Sequence, residues 1–259
     1  MPTMHFHRPL EPYGCRDLAA YLGDRPETTI PVHLLRRGLC NAYVVGNPKR
    51  PQAAVVQSAF LPGEPMGYGP NVEALWDILS TVGGWDCVDV TNDLVAPLST
   101  QMGAALQCDV KTLADVYHVQ AEPQPVIRHP DVFLMTKENV LLLHDAPLEL
   151  RGVGFHNPDQ MIQRGFAACG ISKGSVVTIA HTTALTEKHA DIGVYTLPRF
   201  RRRGMAKAAA SIVANKVRES GRTPVWSCGE DNAASMAIAH GLGFQEHTRQ
   251  TYLIPQRQP

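Results

Sequence analysis

Short apolar runs alternate with stretches of helical periodicity along the first half of the chain. Runs rich in β-branched residues predict four strands, at 41–46, 53–60, 85–91 and 114–120. Apolar side chains three and four positions apart predict two helices, at 71–84 and 94–106. Asn71 is suited to cap the first helix, and Pro97 falls in the first turn of the second, where proline is tolerated. The predicted order is β-β-α-β-α-β.

A connection at 120–132 separates this half from the rest, since it holds three prolines and little periodicity. We expect a domain boundary there, which divides the chain into residues 1–124 and 125–259. One or two short strands of uncertain limits are expected next. A helix is then predicted over 157–170, with Asn157 as N-cap and Gly170 at its end.

The C-terminal part has the clearest pattern. Apolar runs predict strands at 174–185, 190–197, 223–229 and 244–254. Helices are predicted over about 204–219 and from Asn232 to a turn at Gly241 and Gly243. This order matches that of the first half and suggests an internal duplication, although α/β proteins alternate in this way in general.

The charges balance, because Lys+Arg and Asp+Glu both number 24. A nucleic-acid-binding protein usually carries a basic excess, so the composition argues against that function. Four arginines nevertheless fall within residues 199–203, directly before an alanine-rich segment. The positive charge is therefore local, and it calls for a local partner.

The six cysteines are scattered without the spacing of a metal site, and they predict reduced, mostly buried thiols. The N-terminal residues lack the apolar core of a secretory signal. No stretch approaches 18 apolar residues, so we expect no membrane span. These features favour a cytoplasmic protein without a metal.

The segment between Thr196 and Met205 predicts an anion site. It follows an apolar strand, is rich in arginine and places Gly204 where a helix begins. A helix N-terminus offers unpaired N–H groups and a partial positive charge, and arginine adds charge-assisted bonds to phosphate oxygens. The segment contains neither GxxxxGK[ST] nor GxGxxG, so it predicts neither a P-loop nor a dinucleotide fold.

The segment resembles the acyl-CoA loop of the GCN5-related N-acetyltransferases (GNAT). In that family a strand is followed by Pro-x-[Tyr/Phe]-Arg-x-x-Gly-x-[Gly/Ala]. The matching residues here are Pro198, Phe200, Arg201, Gly204 and Ala206. A second motif, Asn-x-x-[Ala/Ser] before a helix ending in Leu-Gly-Phe, is matched by Asn232, Ser235 and Leu242–Phe244. The resemblance covers roughly residues 150–259 and is strongest to the FR47-type branch.

The resemblance implies an α/β (α+β) fold of two GNAT-like halves, each a mostly antiparallel twisted sheet flanked by helices. The N-terminal half would be degenerate. Central strands 190–197 and 223–229 would splay apart to hold acetyl-CoA as the cosubstrate. The implied cofactor-binding residues are Val194, Tyr195, Thr196, Arg201, Arg202, Arg203, Gly204, Met205, Ala206, Asn232 and Ser235.

By the same resemblance, an amine attacks the thioester carbonyl directly. The family often uses a tyrosine to protonate the departing thiolate, but Ala239 occupies that position here. Asp191 is the candidate base, with a structural role at the strand start as the alternative. His181, on the preceding strand, is a second candidate, although a lone histidine is more often structural. Cys228 is more simply a packing residue than a nucleophile.

The sequence thus favours an N-acetyltransferase acting on an amine of a small molecule or a peptide. The alternative is an acyl-CoA-binding protein without turnover, because Ala239 replaces the tyrosine. Nucleic-acid binding through 199–203 is disfavoured by the neutral charge. No membrane partner is expected, and a monomer or homodimer fits. The first half lacks the arginine-glycine loop, so we expect it to wall the acceptor pocket without binding CoA.

Overall fold

A mixed sheet of eleven strands runs through residues 7–257, the part of the chain described by the computed structural model. The strands of the first half are β1 (Cys40–Asn47), β2 (Arg50–Ser58), β3 (Met66–Tyr68), β4 (Val88–Val90) and β5 (Val110–Val119). Those of the second half are β6 (Val132–Leu134), β7 (Ala167–Ser172), β8 (Ser175–Leu185), β9 (His189–Thr196), β10 (Thr223–Gly229) and β11 (Gln245–Pro255).

Eight α-helices accompany the sheet within the described residues. They are α1 (Pro12–Leu22), α2 (Thr29–Arg37), α3 (Val72–Thr81), α4 (Asn92–Leu106), α5 (Leu141–His144), α6 (Pro158–Arg164), α7 (Met205–Glu219) and α8 (Ala233–Gly241). Short 3₁₀ turns are formed at Pro26–Thr28, Leu148–Leu150 and Pro198–Phe200. None of the helices in this part of the chain is both long and apolar enough to cross a bilayer.

The two halves exchange their last strands. The strand order is β1-β2-β3-β4-β11-β5-β10-β9-β8-β7-β6, so β11 pairs with β4 of the first half and β5 pairs with β10 of the second. The parallel pairs are equivalent as well, since β3 pairs with β4 across α3 and β9 pairs with β10 across α7. The repeated order agrees with the suggested duplication, and the boundary at residue 124 stays a prediction.

The helices divide between the two faces of the sheet. Helices α3, α4, α7 and α8 cover one face, here called the α7 face, where Val88, Val90 and Trp226 are buried. Helices α1 and α2 cover the opposite face beside β2 and β3, and α5 and α6 cover it beside β7 and β8. We call this second side the α2 face.

The helix predicted over 157–170 is wrong in its second half. Helix α6 ends at Arg164, and Gly170 lies within β7, paired with Thr178 of β8. The two alanines of this run favour a helix intrinsically, but burial in the sheet overrides that preference. A Cβ on Gly170 would lie only 3.1 Å from Met205 Sδ, so the glycine allows α7 to pack closely on β7.

Other differences concern short or N-terminal elements. The strand predicted over 85–91 is confined to β4, because the Trp85 indole instead donates to the Leu79 carbonyl at 2.9 Å. Helices α1, α2 and α5 and strand β3 were not predicted. The remaining strands and helices agree with the predicted ones within a few residues.

Helix α2 joins the N-terminal segment to the second half through His33. The ring is 1% exposed; Nε2 lies 2.8 Å from the Gly154 carbonyl, and Nδ1 lies 3.1 Å from the Leu185 backbone N–H. A neutral ring satisfies both contacts, with Nε2 donating and Nδ1 accepting. Burial accordingly lowers the pKa of His33.

We expect His33→Ala to lower the free energy of unfolding by about 1–3 kcal/mol, because it leaves a buried carbonyl and a buried N–H without partners. Urea titration monitored by circular dichroism measures this change. His247→Ala removes an exposed imidazole and serves as the matched control. Equal stability of the two variants would contradict the bridging role.

Candidate functional site

Strands β9 and β10 separate after a short stretch of parallel pairing. Three residue pairs join them, the last being Val225 with Asp191. Beyond this pair β9 continues to Thr196 along β8, and β10 continues to Gly229 along β5. The β9 edge at Val194–Thr196 therefore faces a gap with its backbone groups free of sheet pairing to β10.

A cleft of about 630 Å³ occupies this gap on the side of α7. All eleven residues predicted to bind the cofactor line it: Val194, Tyr195, Thr196, Arg201, Arg202, Arg203, Gly204, Met205, Ala206, Asn232 and Ser235. The motifs around Arg201 and Asn232 are distant in sequence, and the β9-α7-β10-α8 order brings them to one opening.

The N-terminus of α7 lines this cleft with unpaired backbone donors. The N–H groups of residues 202–207 have no hydrogen-bond acceptor within the described part of the chain, and no side chain caps the helix. Arg202 and Gly204 adopt positive φ values of 62° and 81°. Such a turn before a helix gathers N–H groups at its positive end, which suits a phosphate group.

The arginine side chains have different surroundings. Arg201 Nε donates to the Thr196 carbonyl at 3.1 Å, so this side chain ties the loop to the end of β9. Arg203 lies over the Phe200 ring, 5.1 Å from its centroid. No described acidic side chain forms an ion pair with either arginine. The cleft therefore keeps a net positive rim.

Asn232 and Ser235 also have structural roles at the opposite wall. Asn232 Oδ1 accepts from the Ser235 backbone N–H at 3.1 Å and caps α8. Ser235 Oγ accepts from the Trp226 indole at 2.9 Å. These contacts fix α8 against β10, and both residues still line the cleft.

Phe200 of the loop motif also lines the cleft. Sequence reasoning did not select four further residues of the wall, which are Lys207, Trp226, Ala234 and Ile238. Lys207 lies one turn into α7, a position that the loop motif does not specify. Trp226 and Ser227 are adjacent on β10, so their side chains lie on opposite faces of the sheet. The sequence of the strand alone does not show which of these faces α7 covers.

Asp191 lies on the α2 face, directly below the point where β9 and β10 separate. It is 4% exposed; Ser227 Oγ donates to Oδ1 at 3.1 Å, and the Thr183 hydroxyl donates to Oδ2. The pKa of Asp191 is raised to about 6, because burial and the negative charge of Asp115 outweigh the two hydroxyl donors, which lower it. The side chain is thus not a solvated strand end.

His181 lies on the same face, opposite Gly193 of β9. The ring is 5% exposed and its Nδ1 donates to the Thr182 carbonyl at 3.0 Å. Burial lowers the pKa of His181 and favours the neutral ring. Neither candidate base belongs to the lining of the cleft, so each would act from the far side of the gap.

Two other residues of the sequence argument are packed away. Ala239 is fully buried in the core beside α7, and its position offers no proton donor. Burial raises the pKa of the Cys228 thiol, which opposes formation of a nucleophilic thiolate.

A second opening, of about 460 Å³, is also basic but lacks these backbone features. Four arginines line it, at 36, 37, 164 and 222. It adjoins α2 and the end of β8, away from the separating strands. Positive charge therefore does not tell which of the two openings binds phosphate. The unpaired N–H groups of α7 favour the cleft between β9 and β10.

Comparison with known proteins agrees with this arrangement. Residues 149–253 match the family model "GNAT acetyltransferase". The uncharacterized N-acetyltransferase YdfB of Bacillus subtilis is 29% identical over 97 residues, which are 38% of this chain and 37% of that protein. The chain thus aligns with little more than a third of this relative.

Solved structures extend the likeness over nearly the whole chain. A GCN5-related N-acetyltransferase-like protein from Streptococcus suis matches with a TM-score of 0.71 at 19% identity, covering 94% of this chain and 99% of the other. A putative GNAT acetyltransferase from Novosphingobium aromaticivorans matches with a TM-score of 0.60 at 16% identity, covering 91% and 100%. At this identity the likeness defines the fold.

The match shows that residues 149–253 are similar to the GNAT acetyltransferases. The resemblance based on the two sequence motifs is confirmed at this level. The FR47-type branch and the roles of individual residues stay predictions.

Asp191 gives the site a testable pH signature. Its pKa is about 6 in the folded protein against a usual value of 3.8, so the folded state binds more protons between about pH 4 and 6. Stability contributed by this group is therefore lost as pH rises through that window. We expect the free energy of unfolding to fall as pH rises from 4 to 6, and to fall by about 1–3 kcal/mol less in Asp191→Asn than in the wild type.

Urea unfolding across this pH range measures the difference. Asp109→Asn, which changes an exposed aspartate before β5, should retain the wild-type dependence. An unchanged pH dependence in Asp191→Asn would show that Asp191 does not titrate in this range.

Proposed function

We propose that the chain is an N-acetyltransferase that transfers the acetyl group of acetyl-CoA to an amine of a small molecule or a peptide. The observation that carries this proposal is the row of unpaired N–H groups at residues 202–207, which faces a cleft between separating strands. The family match of residues 149–253 supports the same reaction class.

In this proposal the pyrophosphate of CoA binds the N–H groups at the start of α7. The pantetheine arm extends along the free edge of β9 at Val194–Thr196 and pairs with its backbone, much as a missing strand would. Asn232 and Ser235 flank the far end of the cofactor. Arg202 and Arg203 then lie at the rim, where their charges attract the remaining phosphate.

The amine nitrogen attacks the thioester carbonyl carbon, a C–N bond forms, and the C–S bond breaks with departure of the CoA thiolate. The ammonium proton must leave before or during this attack. Asp191 takes it in our proposal, with the Ser227 hydroxyl as a relay, since Ser227 lies on β10 and already donates to Asp191. A carboxyl with a pKa of about 6 is largely ionised at neutral pH. His181, neutral in its buried position, is the second candidate.

Ala239 motivates the alternative function, a protein that binds acyl-CoA without turnover. A thiol pKa near 8.5 makes the thiolate a tolerable leaving group without an acid. Release of free CoA thiol in the presence of a panel of amines separates the two functions. Tight binding of acetyl-CoA without thiol release for any amine would favour the alternative.

The first half is proposed to wall the acceptor pocket without binding CoA. We propose a domain boundary at residue 124, a cytoplasmic location, and either a monomer or a homodimer. These points rest on the sequence and on the position of α1 and α2 against the α2 face.

We expect Gly204→Asp to weaken CoA binding at least about tenfold, which corresponds to about 1.4 kcal/mol. The new carboxylate would lie against the phosphates, and a side chain is strained at φ 81°. Gly174→Asp is a matched control, because Gly174 has φ 79° and open space in a turn between β7 and β8. Isothermal titration calorimetry with CoA measures both. An unaltered affinity in Gly204→Asp would contradict the loop assignment.

We expect Asp191→Asn to lower kcat by about 10²–10⁴-fold, the range for loss of a general base, with the Kd for acetyl-CoA unchanged. His181→Gln tests the competing base in the same assay. A large loss in His181→Gln together with a small one in Asp191→Asn would transfer the role to His181.

A further inference from the structure

A row of buried carboxyl groups crosses the α2 face of the sheet. Asp89 of β4, Asp115 of β5 and Asp191 of β9 are 3%, 4% and 4% exposed. The strand order β4-β11-β5-β10-β9 and the pairing registers place all three on the same face. We call these three residues the carboxyl row.

The row has fewer hydrogen-bond donors than its oxygens can accept. The single Tyr117 hydroxyl hydrogen is shared between Asp89 Oδ2 and Gln250 Oε1, each 3.4 Å away. Asp89 Oδ1 is buried with no partner among the described residues. Tyr68 Oη is likewise buried without a partner there, and it is close enough to Asp89 for that carboxylate to raise the pKa of the phenol.

No cation of the described residues compensates the row, since none of its members takes part in an ion pair. The positive charge of Arg25 lowers the pKa of Tyr68 slightly. Arg25 itself forms an ion pair with Glu27, and its side chain is 59% exposed. Glu64 adds a further negative charge beside Asp89 and Asp115. Burial and the neighbouring carboxyl groups raise the pKa of Asp89 and Asp115, and a cation from outside would offset this and favour their ionised forms.

The spacing of the row favours an extended cation over a metal ion. The registers place Asp191 opposite Val119 of β5, four residues from Asp115, and place Asp89 opposite Leu113, two residues beyond Asp115. The row therefore runs diagonally across strands about 4.8 Å apart, and its members are too far apart to share one metal ion. No three side chains of the metal-binding types converge on one point within the described residues. Tyr252, Ser227 and Gly229, which lie beside the row, are partly exposed.

We propose that the acceptor carries a second positively charged amine besides the one that is acetylated, and that Asp115 and Asp89 bind this second group. The inference rests on the proposed acetyl transfer, which places the reacting amine at Asp191. Asp191 marks one end of the row, below the gap of β9 and β10. The acceptor is therefore a linear diamine, a polyamine or a lysine-like chain.

Acetylation of matched amines tests the inference. The probes are hexamethylenediamine, n-hexylamine and aminohexanoate, which share one chain length and differ in the charge at the far end. We expect kcat/KM to be at least about tenfold higher for the diamine than for the monoamine, which is about 1.4 kcal/mol, and lowest for the amino acid. Equal values for the diamine and the monoamine would overturn it.

Asp115→Asn and Asp89→Asn should each raise KM for the diamine about tenfold and leave KM for n-hexylamine unchanged. Both variants should fold, because an amide of equal size replaces a buried group that is costly to ionise. Asp109→Asn makes the same substitution at an exposed aspartate and serves as the matched control. A parallel loss for diamine and monoamine would indicate a structural role and overturn the inference.

Calorimetry of hexamethylenediamine with the CoA-loaded protein needs no turnover and separates this inference from the proposed reaction. Binding that is weakened in Asp115→Asn, without acetylation of any amine, would support the cation site and contradict the acetyltransferase. Acetylation of both amines, with no effect of either substitution, would retain the acetyltransferase and overturn the cation site. Absence of any diamine binding would overturn the cation site as well.

Discussion

The end of backbone pairing between β9 and β10 is the constraint on which the site depends. Parallel strands normally continue their hydrogen bonds, but here pairing stops at Val225 and Asp191. The gap leaves the β9 edge without a strand partner and sets the N-terminus of α7 against the same opening. A backbone edge and a helix end therefore supply most of the polar groups of the cleft, and the arginine side chains add charge around them.

The exchange of terminal strands joins the two halves into one sheet and places chemistry from both at its centre. Because β5 pairs with β10, Asp115 of the first half lies opposite Gly229 of the second, and Tyr117 lies opposite Ser227. Because β11 pairs with β4, Asp89 lies within the same polar surface. The first half thus contributes carboxyl groups to the centre of the sheet, although it lacks the arginine-glycine loop of the second half.

The sequence was informative wherever a function is carried by a short contiguous motif. The loop at Arg201–Ala206 and the cap at Asn232 were predicted from local patterns, and both line one cleft. The β7 strand was mistaken for helix because its partner β8 and the helix α7 decide its conformation. The carboxyl row was not recognised, because its three residues lie on separate strands and only the sheet order brings them to one face.

The two faces of the central strands therefore carry opposite electrostatic character. Unpaired N–H groups and arginines line the α7 face, whereas buried carboxyl groups line the α2 face. Under the proposed function, the phosphates of the acyl donor would be attracted to the α7 side of the gap, and a cationic acceptor would be attracted to the carboxyl row. The two reactants would then approach from opposite sides and meet only at the gap, where no strand separates them. This separation by charge would order the reactants without a moving lid.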